Sequence, residues 1–234
     1  MTTSSNRYRL SKSKIAAFEH CPRRLWLQIH HREVGHFDSD TLARFRIGHE
    51  VGRLATVAMP DGVLVEAEPN IEAALVRTTQ LIAHDASRPI FEATFQHHGV
   101  LVRVDILEPV GLGSWHAIEV KASTRLKKYQ LADIATQVWV MRSCGLTISR
   151  ATIRHLARPL NWKRPDYNAV CFTDADVTRR IESHLASREE IAASARAVIR
   201  GAEVLREMGS HCTRPFACEF LRHCGSACQV PTQF

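Results

Sequence analysis

Apolar residues along this chain follow two periods, and the switches between them mark the elements. Ser11 precedes a short helical run with Ile15 and Phe18 on its inner side, and the serine suits the N-cap. Cys21-Pro22 interrupts it, and proline fits the first turn of a second helix, RRLWLQIH. Asp38 or Ser39 opens a third helix, whose inner positions are Leu42, Phe45, Val51, Leu54 and Ala58. Met59-Pro60-Asp61-Gly62 is a turn, VLVEAE a short strand, and 71–86 an amphipathic helix carrying Leu75, Leu81 and Ile82. After Pro89 the period falls to two. IFEATFQHHGVLVRVDILEPV predicts two strands joined at His98-Gly99. Gly111-Leu112-Gly113 turns into a third strand, WHAIEVKAS, and residues 127–143 are helical, with Gly145 as C-cap. ATIRHLA and NAVCF predict later strands, and 174–208 is largely helical. Beyond Gly209 the pattern stops and cysteine dominates.

This order predicts an α/β fold with a mixed central β-sheet flanked by helices, as a single domain over residues 1–234. The first and last segments should pack beside it. There is no internal repeat. Hydrophobic content of 45% and charged content of 24% are those of an ordinary globular chain. The start, MTTSSNRYRL, lacks the apolar stretch of a secretory signal, and no apolar run has membrane-spanning length. A cytoplasmic protein with no membrane partner is expected. Thiols stay reduced there, so seven cysteines, four of them within 212–228, indicate metal ligation rather than disulfides. A net charge of +7 fits a polyanionic partner.

Four residues in the middle third carry chemistry. Glu119 and Lys121 are two apart on a predicted strand, so they share a face. Asp105, near the end of the preceding strand, and Glu92, on the first strand of the hairpin, can converge on the same spot. Asp105 and Glu119 interrupt apolar β-runs, where acids belong to sheet edges or sites. Carboxylate oxygens suit Mg²⁺ or Mn²⁺, and a bound divalent ion makes water a better nucleophile. A lysine beside it steadies the charge that develops on a phosphodiester. Glu-x-Lys alone also describes an ordinary solvated strand face.

Cys212-x5-Cys218-x5-Cys224-x3-Cys228 lacks the Cys-x2-Cys pairing typical of zinc fingers, yet four thiolates hold either zinc or a 4Fe–4S cluster. Cys144 and Cys171 read as small buried apolar residues.

RVDIL, then IEVKAS, then a helix carrying Gln137, resembles the RecB-like branch of the PD-(D/E)XK nucleases. HCPRRLWL and CTRPFACEFLRHC are similar to the segments that enclose the nuclease core in its iron–sulfur members, the CRISPR-adaptation exonuclease family and the AddB nuclease domain. The resemblance spans about residues 10–228. It implies a restriction-endonuclease-like core in which Asp105 and Glu119 hold the metal, Lys121 assists the water, Glu92 is the upstream acid and Gln137 contacts substrate or orders the site. FRIGHEVGRLA resembles the early helix that supplies a metal-ligating histidine, here His49. Cys21, Cys212, Cys218 and Cys224 would ligate a structural 4Fe–4S cluster joining residues 10–30 to 209–228. The late cysteines are spaced more widely than the Cys-x2-Cys-x5-Cys of common members, which leaves Cys228 a rival for the fourth place. Met141 stands where the helix motif has tyrosine, and Val104 replaces a proline before Asp105.

The resemblance implies a metal-dependent DNA nuclease, exonucleolytic on single-stranded DNA or duplex ends, with a helicase or a CRISPR or defence protein as companion. DNA repair, antiviral defence and CRISPR adaptation are all compatible. Arg125 and Lys127 are the first candidates for phosphate contact, with Arg23 and Arg24 beside Cys21. Lys12 and Lys14 also flank Cys21, and Trp26 and Trp139 suit base stacking or core packing. The rival readings are a catalytically inactive DNA-binding or adaptor subunit that keeps the fold, and a zinc-clasped nuclease.

Overall fold

Two glycine turns organise the middle of the chain. The structure, a computed structural model, describes residues 10–161 and 163–227. Strands β3 (Ile90–His97) and β4 (Val100–Pro109) form an antiparallel hairpin. Its two-residue turn, His98-Gly99, has φ of 45° and 76°, the left-handed pair that keeps the strands' twist. Gly111, Leu112 and Gly113 turn left-handed as well and deliver β5 (Ser114–Lys121) antiparallel to β4. Helix α5 (Lys128–Ser143) then crosses back, so that β6 (Thr147–Leu156) lies parallel to β5. Gly145, at φ 89°, follows the end of α5 as a left-handed C-terminal stop.

Before the hairpin come β1 (Leu10–Ser11), α1 (Lys12–His20), α2 (Pro22–His30), α3 (Ser39–Val57), β2 (Val63–Leu64) and α4 (Ile71–His84). Ser11, Asp38 and Asn70 each accept a backbone N–H of the first turn of α1, α3 and α4, so the polar cap residues start these helices. After β6 come β7 (Phe172–Asp176), α6 (Glu182–Leu185), α7 (Arg188–Arg200) and α8 (Leu221–Ala227). The sheet runs β2-β3-β4-β5-β6-β7, and β1 pairs with the start of β4 in parallel. It is a mixed α/β sheet with helices on both faces. Ile134, Ala135, Val138 and Met141 of α5 share the main core with Val102, Val104, Ala117 and Ile153. Ala55 of α3 meets Phe91, Ile106 and Ile118.

Several expectations are corrected. The inner face of α3 is Ile47, Val51 and Ala55, whereas Leu42 and Phe45 are exposed. No residue of the first turns of α3, 39–46, is buried, and Phe45 meets Phe37 edge-on. NAVCF begins as a 3₁₀ turn and its exit rather than as a strand, because the Asp166 carboxylate accepts the Asn168 N–H. The strand starts at the last residue of NAVCF and runs over Phe172–Asp176, into the first residues of the segment 174–208 that was expected to be helical. Helix α7 stops at Gly201, and 202–209 has no regular structure despite its Ala and Glu content. Cys144 and Cys171 are exposed rather than buried, one at a helix end and one before a strand. The two-residue β1 was not expected, because two residues carry no readable period.

Candidate active site and cysteine centre

The hairpin register aligns the acids. Phe91 pairs with Ile106 and Ala93 with Val104, so Glu92 stands across from Asp105. Ile106 pairs with Ile118, which continues to Asp105 across from Glu119. Glu92, Asp105 and Glu119 therefore form one row over three adjacent strands. The regular pleat breaks at that row. Ile90 and Ala93 both face the main core while Phe91 faces α3, and likewise Val104 and Leu107 face the main core while Ile106 faces α3. Both strands slip phase at the acid. Glu92 makes the slip with φ 55°, a left-handed conformation that costs a non-glycine residue on the order of 1 kcal/mol. At Asp105 the side chain takes over a ladder bond: Val120 N–H donates to Asp105 Oδ2 at 2.6 Å.

Glu119 is 2% exposed and its carboxylate is saturated. Lys12 and Lys121 each place Nζ 2.6 Å from Oε1, and Gln137 of α5 donates to Oε2 at 2.5 Å. Lys121 also reaches Asp133, one helical turn before Gln137, at 3.2 Å. Burial works to raise the Glu119 pKa, but the two ammonium groups outweigh it and hold the carboxyl below its ordinary range. Asp105 goes the other way. Burial first, then the charge of Glu119, push it up to about 7. Burial would lower the Lys121 pKa, yet Glu119 and Asp133 raise it, so the amine stays protonated. Glu92 forms an ion pair with Arg103 at 3.2 Å.

A cleft of about 350 Å³ opens on this row. Glu92, Asp105 and Glu119 line one side; Gly48, His49, Gly52 and Arg53 of α3 line the other. The two glycines have nothing within 4 Å of where a Cβ would stand, so the helix wall beside His49 is kept low. Three carboxylates line this cleft with an imidazole, residue types that suit a divalent cation, but their ligand atoms are not gathered around one point, and Glu119 and Glu92 are engaged by Lys12, Lys121, Gln137 and Arg103. The enclosed pair Asp105 and Glu119 fits such an ion, since a divalent charge would let both ionise.

The second assembly joins the ends of the chain. Cys21 ends α1 and begins α2. It lines a pocket of about 20 Å³ together with Cys212, Cys218 and Cys224, so the four sequence-predicted thiols are brought together. Burial pushes the Cys218 thiol up to about 11 and also raises Cys224, where Arg23 partly offsets it. Four cysteines lining one small pocket are a donor set that suits a thiolate-ligated metal group. Cys228 lies outside the described residues. Protein contacts close the same junction. Glu219, buried, accepts from Arg24 at 2.8 Å and Gln28 at 2.6 Å. Trp26 donates to the Gly201 carbonyl at 3.0 Å, His20 bonds the His211 carbonyl, and Glu19 pairs with Arg188.

Arg125 and Lys127 are exposed on the loop between Lys121 and α5. Arg23 and Arg24 are instead engaged at the cysteine pocket, Arg23 with Glu203 at 2.7 Å and Arg24 with Glu219. Trp139 packs against the core. Sequence reasoning missed Lys12 and Asp133 in the site and Glu219 at the junction. Asp133 was findable, because it lies four residues before Gln137 on one helix face. Nothing local marks Lys12 or Glu219.

No family model and no curated protein matches the chain. Among solved structures it is similar to that of SSO0001, with TM-score 0.45 and 10% identity over 90% of this chain and 83% of that one. It is also similar to an alkaline exonuclease, LHK-Exo, from Laribacter hongkongensis, with TM-score 0.40 and 14% identity over 84% of this chain and 94% of that one. Among the described residues no helix is long and apolar enough to cross a membrane.

Proposed function

We propose that this chain is a metal-dependent DNA nuclease whose two ends are tied by a structural 4Fe–4S cluster. The observation that carries the reading is the row of Glu92, Asp105 and Glu119 on one cleft, with Lys121 on Glu119. Asp105, Glu119 and His49 would hold Mg²⁺ or Mn²⁺, with Glu92 beside them. The bound ion would supply Lewis acidity and lower the pKa of water. Lys121 is fixed between Glu119 and Asp133, so a protonated amine stands ready to orient the nucleophile and stabilise charge on the phosphate. Gln137 locks the Glu119 rotamer from behind. Arg125 and Lys127 would hold the strand by its phosphates. Single-stranded DNA or duplex ends are the proposed substrates, cut as an exonuclease, with a helicase or a CRISPR or defence protein as companion. Cys21, Cys212, Cys218 and Cys224 would ligate the cluster.

The test is cleavage of end-labelled single- and double-stranded DNA by anaerobically purified protein, with Mn²⁺ and with EDTA, beside Lys121→Ala. Metal-dependent cutting lost in the variant supports the enzyme and its site. A folded protein that binds DNA without cutting it returns the adaptor reading. Iron and acid-labile sulfide, with absorbance near about 400 nm, separate the cluster from colourless zinc.

A further inference from the structure

Lys12 reaches Glu119 from 107 residues away along the chain. Its Nζ lies 2.6 Å from Oε1, the same oxygen that Lys121 approaches at 2.6 Å. Two ammonium groups thus crowd one carboxylate oxygen, and the charge of Lys12 also acts on the neighbouring Asp105. Gln137 already serves the other oxygen. The two lysines differ in their anchoring, since Lys121 has Asp133 as a second acceptor.

The backbone of Lys12 is firmly placed. It is the first residue of α1, directly after the β1 pairing of Leu10 with Val100 and Ser11 with Leu101. Ser11 caps the helix, and Leu10, Ile15 and Ala17 are each 1% exposed. The other end of α1 is capped by Cys21 at the cysteine pocket. A nine-residue helix is about 13 Å long, so α1 is a short strut with Lys12 at the acid row and Cys21 at the other assembly.

We propose that Lys12 is a resident counter-cation: it neutralises Glu119 before a divalent ion binds and competes with that ion for Oε1. The inference rests on the metal-dependent reading above. An ammonium group at hydrogen-bond distance and a divalent ion at coordination distance claim the same lone pairs and the same negative charge. Lys121 is held by Asp133, so Lys12 is the group that yields. Removing its charge leaves Glu119 still bonded by Lys121 and Gln137, and the site gains affinity for the ion.

The test is a Mn²⁺ titration, followed by calorimetry and by the electron paramagnetic resonance of the free ion. It uses full-length, anaerobically purified wild type, Lys12→Met, Lys12→Gln, Lys12→Arg and Asp105→Asn. Both neutral variants should bind Mn²⁺ about fivefold more tightly or better, and Lys12→Arg should stay near wild type. Neutral variants that bind no more tightly, while wild type binds and Asp105→Asn does not, overturn the competition and leave the nuclease reading standing. Failure of both neutral variants to fold makes Lys12 structural and also overturns it. Absence of Mn²⁺ binding by folded wild type overturns the inference and the metal-dependent reading together.

Discussion

Glu92, Asp105 and Glu119 come from three consecutive strands, while Cys21 meets Cys212, Cys218 and Cys224 from opposite ends of the chain. The acid row is fixed by backbone register. Glu92 and Asp105 also shape their strands, through a left-handed φ and a bond from the Val120 N–H, so it is at Lys121, whose side chain takes no part in the ladder, that a mutation should act on chemistry more than on folding. The cysteine pocket is fixed by closing a very long loop. Its stability depends on whatever holds the two ends, and a ligand bound there contributes directly to folding. Helix α1 touches both assemblies, through Lys12 and Cys21, which makes their independence a matter for experiment.

The largest expected effect tests the acid row alone. Lys121→Ala should reduce metal-dependent DNA cleavage by about 10²–10³-fold, as loss of a group that stabilises transition-state charge does, and leave iron content unchanged. Iron lost together with activity would break the separation. Cys218→Ser tests the other side. Closing a loop of roughly 190 residues is worth on the order of 5 kcal/mol, so the melting temperature should fall by about 10–20 °C. Limited proteolysis should then cut first within 202–220, with the β3–β5 sheet still protected.

A pH series sharpens the contrast within the row. Asp105 has a raised pKa, about 7, against an unfolded value of about 3.9. The metal-free fold therefore binds more protons at Asp105 than the unfolded chain does. That contribution to stability is fully present below about pH 4 and is lost as pH rises through about 7. Melting curves between these limits, without divalent ion, should show the decline, and Asp105→Asn should flatten it. Gln137→Ala, which leaves Glu119 Oε2 buried without its donor, should cost about 1–3 kcal/mol by denaturant titration and lower activity as well. Smallest is Glu92→Gly. Relief of the left-handed φ should raise stability by about 1 kcal/mol while cleavage falls, opposite signs that an ordinary surface glutamate would not give.

The strands from 90 to 121 were legible because alternation and glycine turns are local properties, and Glu119 and Lys121 share a face as their spacing requires. The thiols were legible because cysteine is uncommon and clusters late in the chain. The inner face of α3 was not, since which turns of a helix meet the sheet depends on where the helix lies. A strand near 170 was expected, but its place at 172–176 was not legible, because pairing with β6 set its bounds.

By itself, the sequence determined the element order from α1 to β6, the placement of Glu92, Asp105, Glu119 and Lys121 on three successive strands, and the cysteines available to join the ends. These follow from residue type and short spacing, which the chain carries whether folded or not. Tertiary structure alone decided the phase slip at Glu92 and Asp105, the burial of Glu219 between Arg24 and Gln28, and the arrival of Lys12 on Glu119. Each depends on backbone conformation or on contacts between residues more than a hundred positions apart. No local pattern encodes such contacts, because only packing brings their partners within reach.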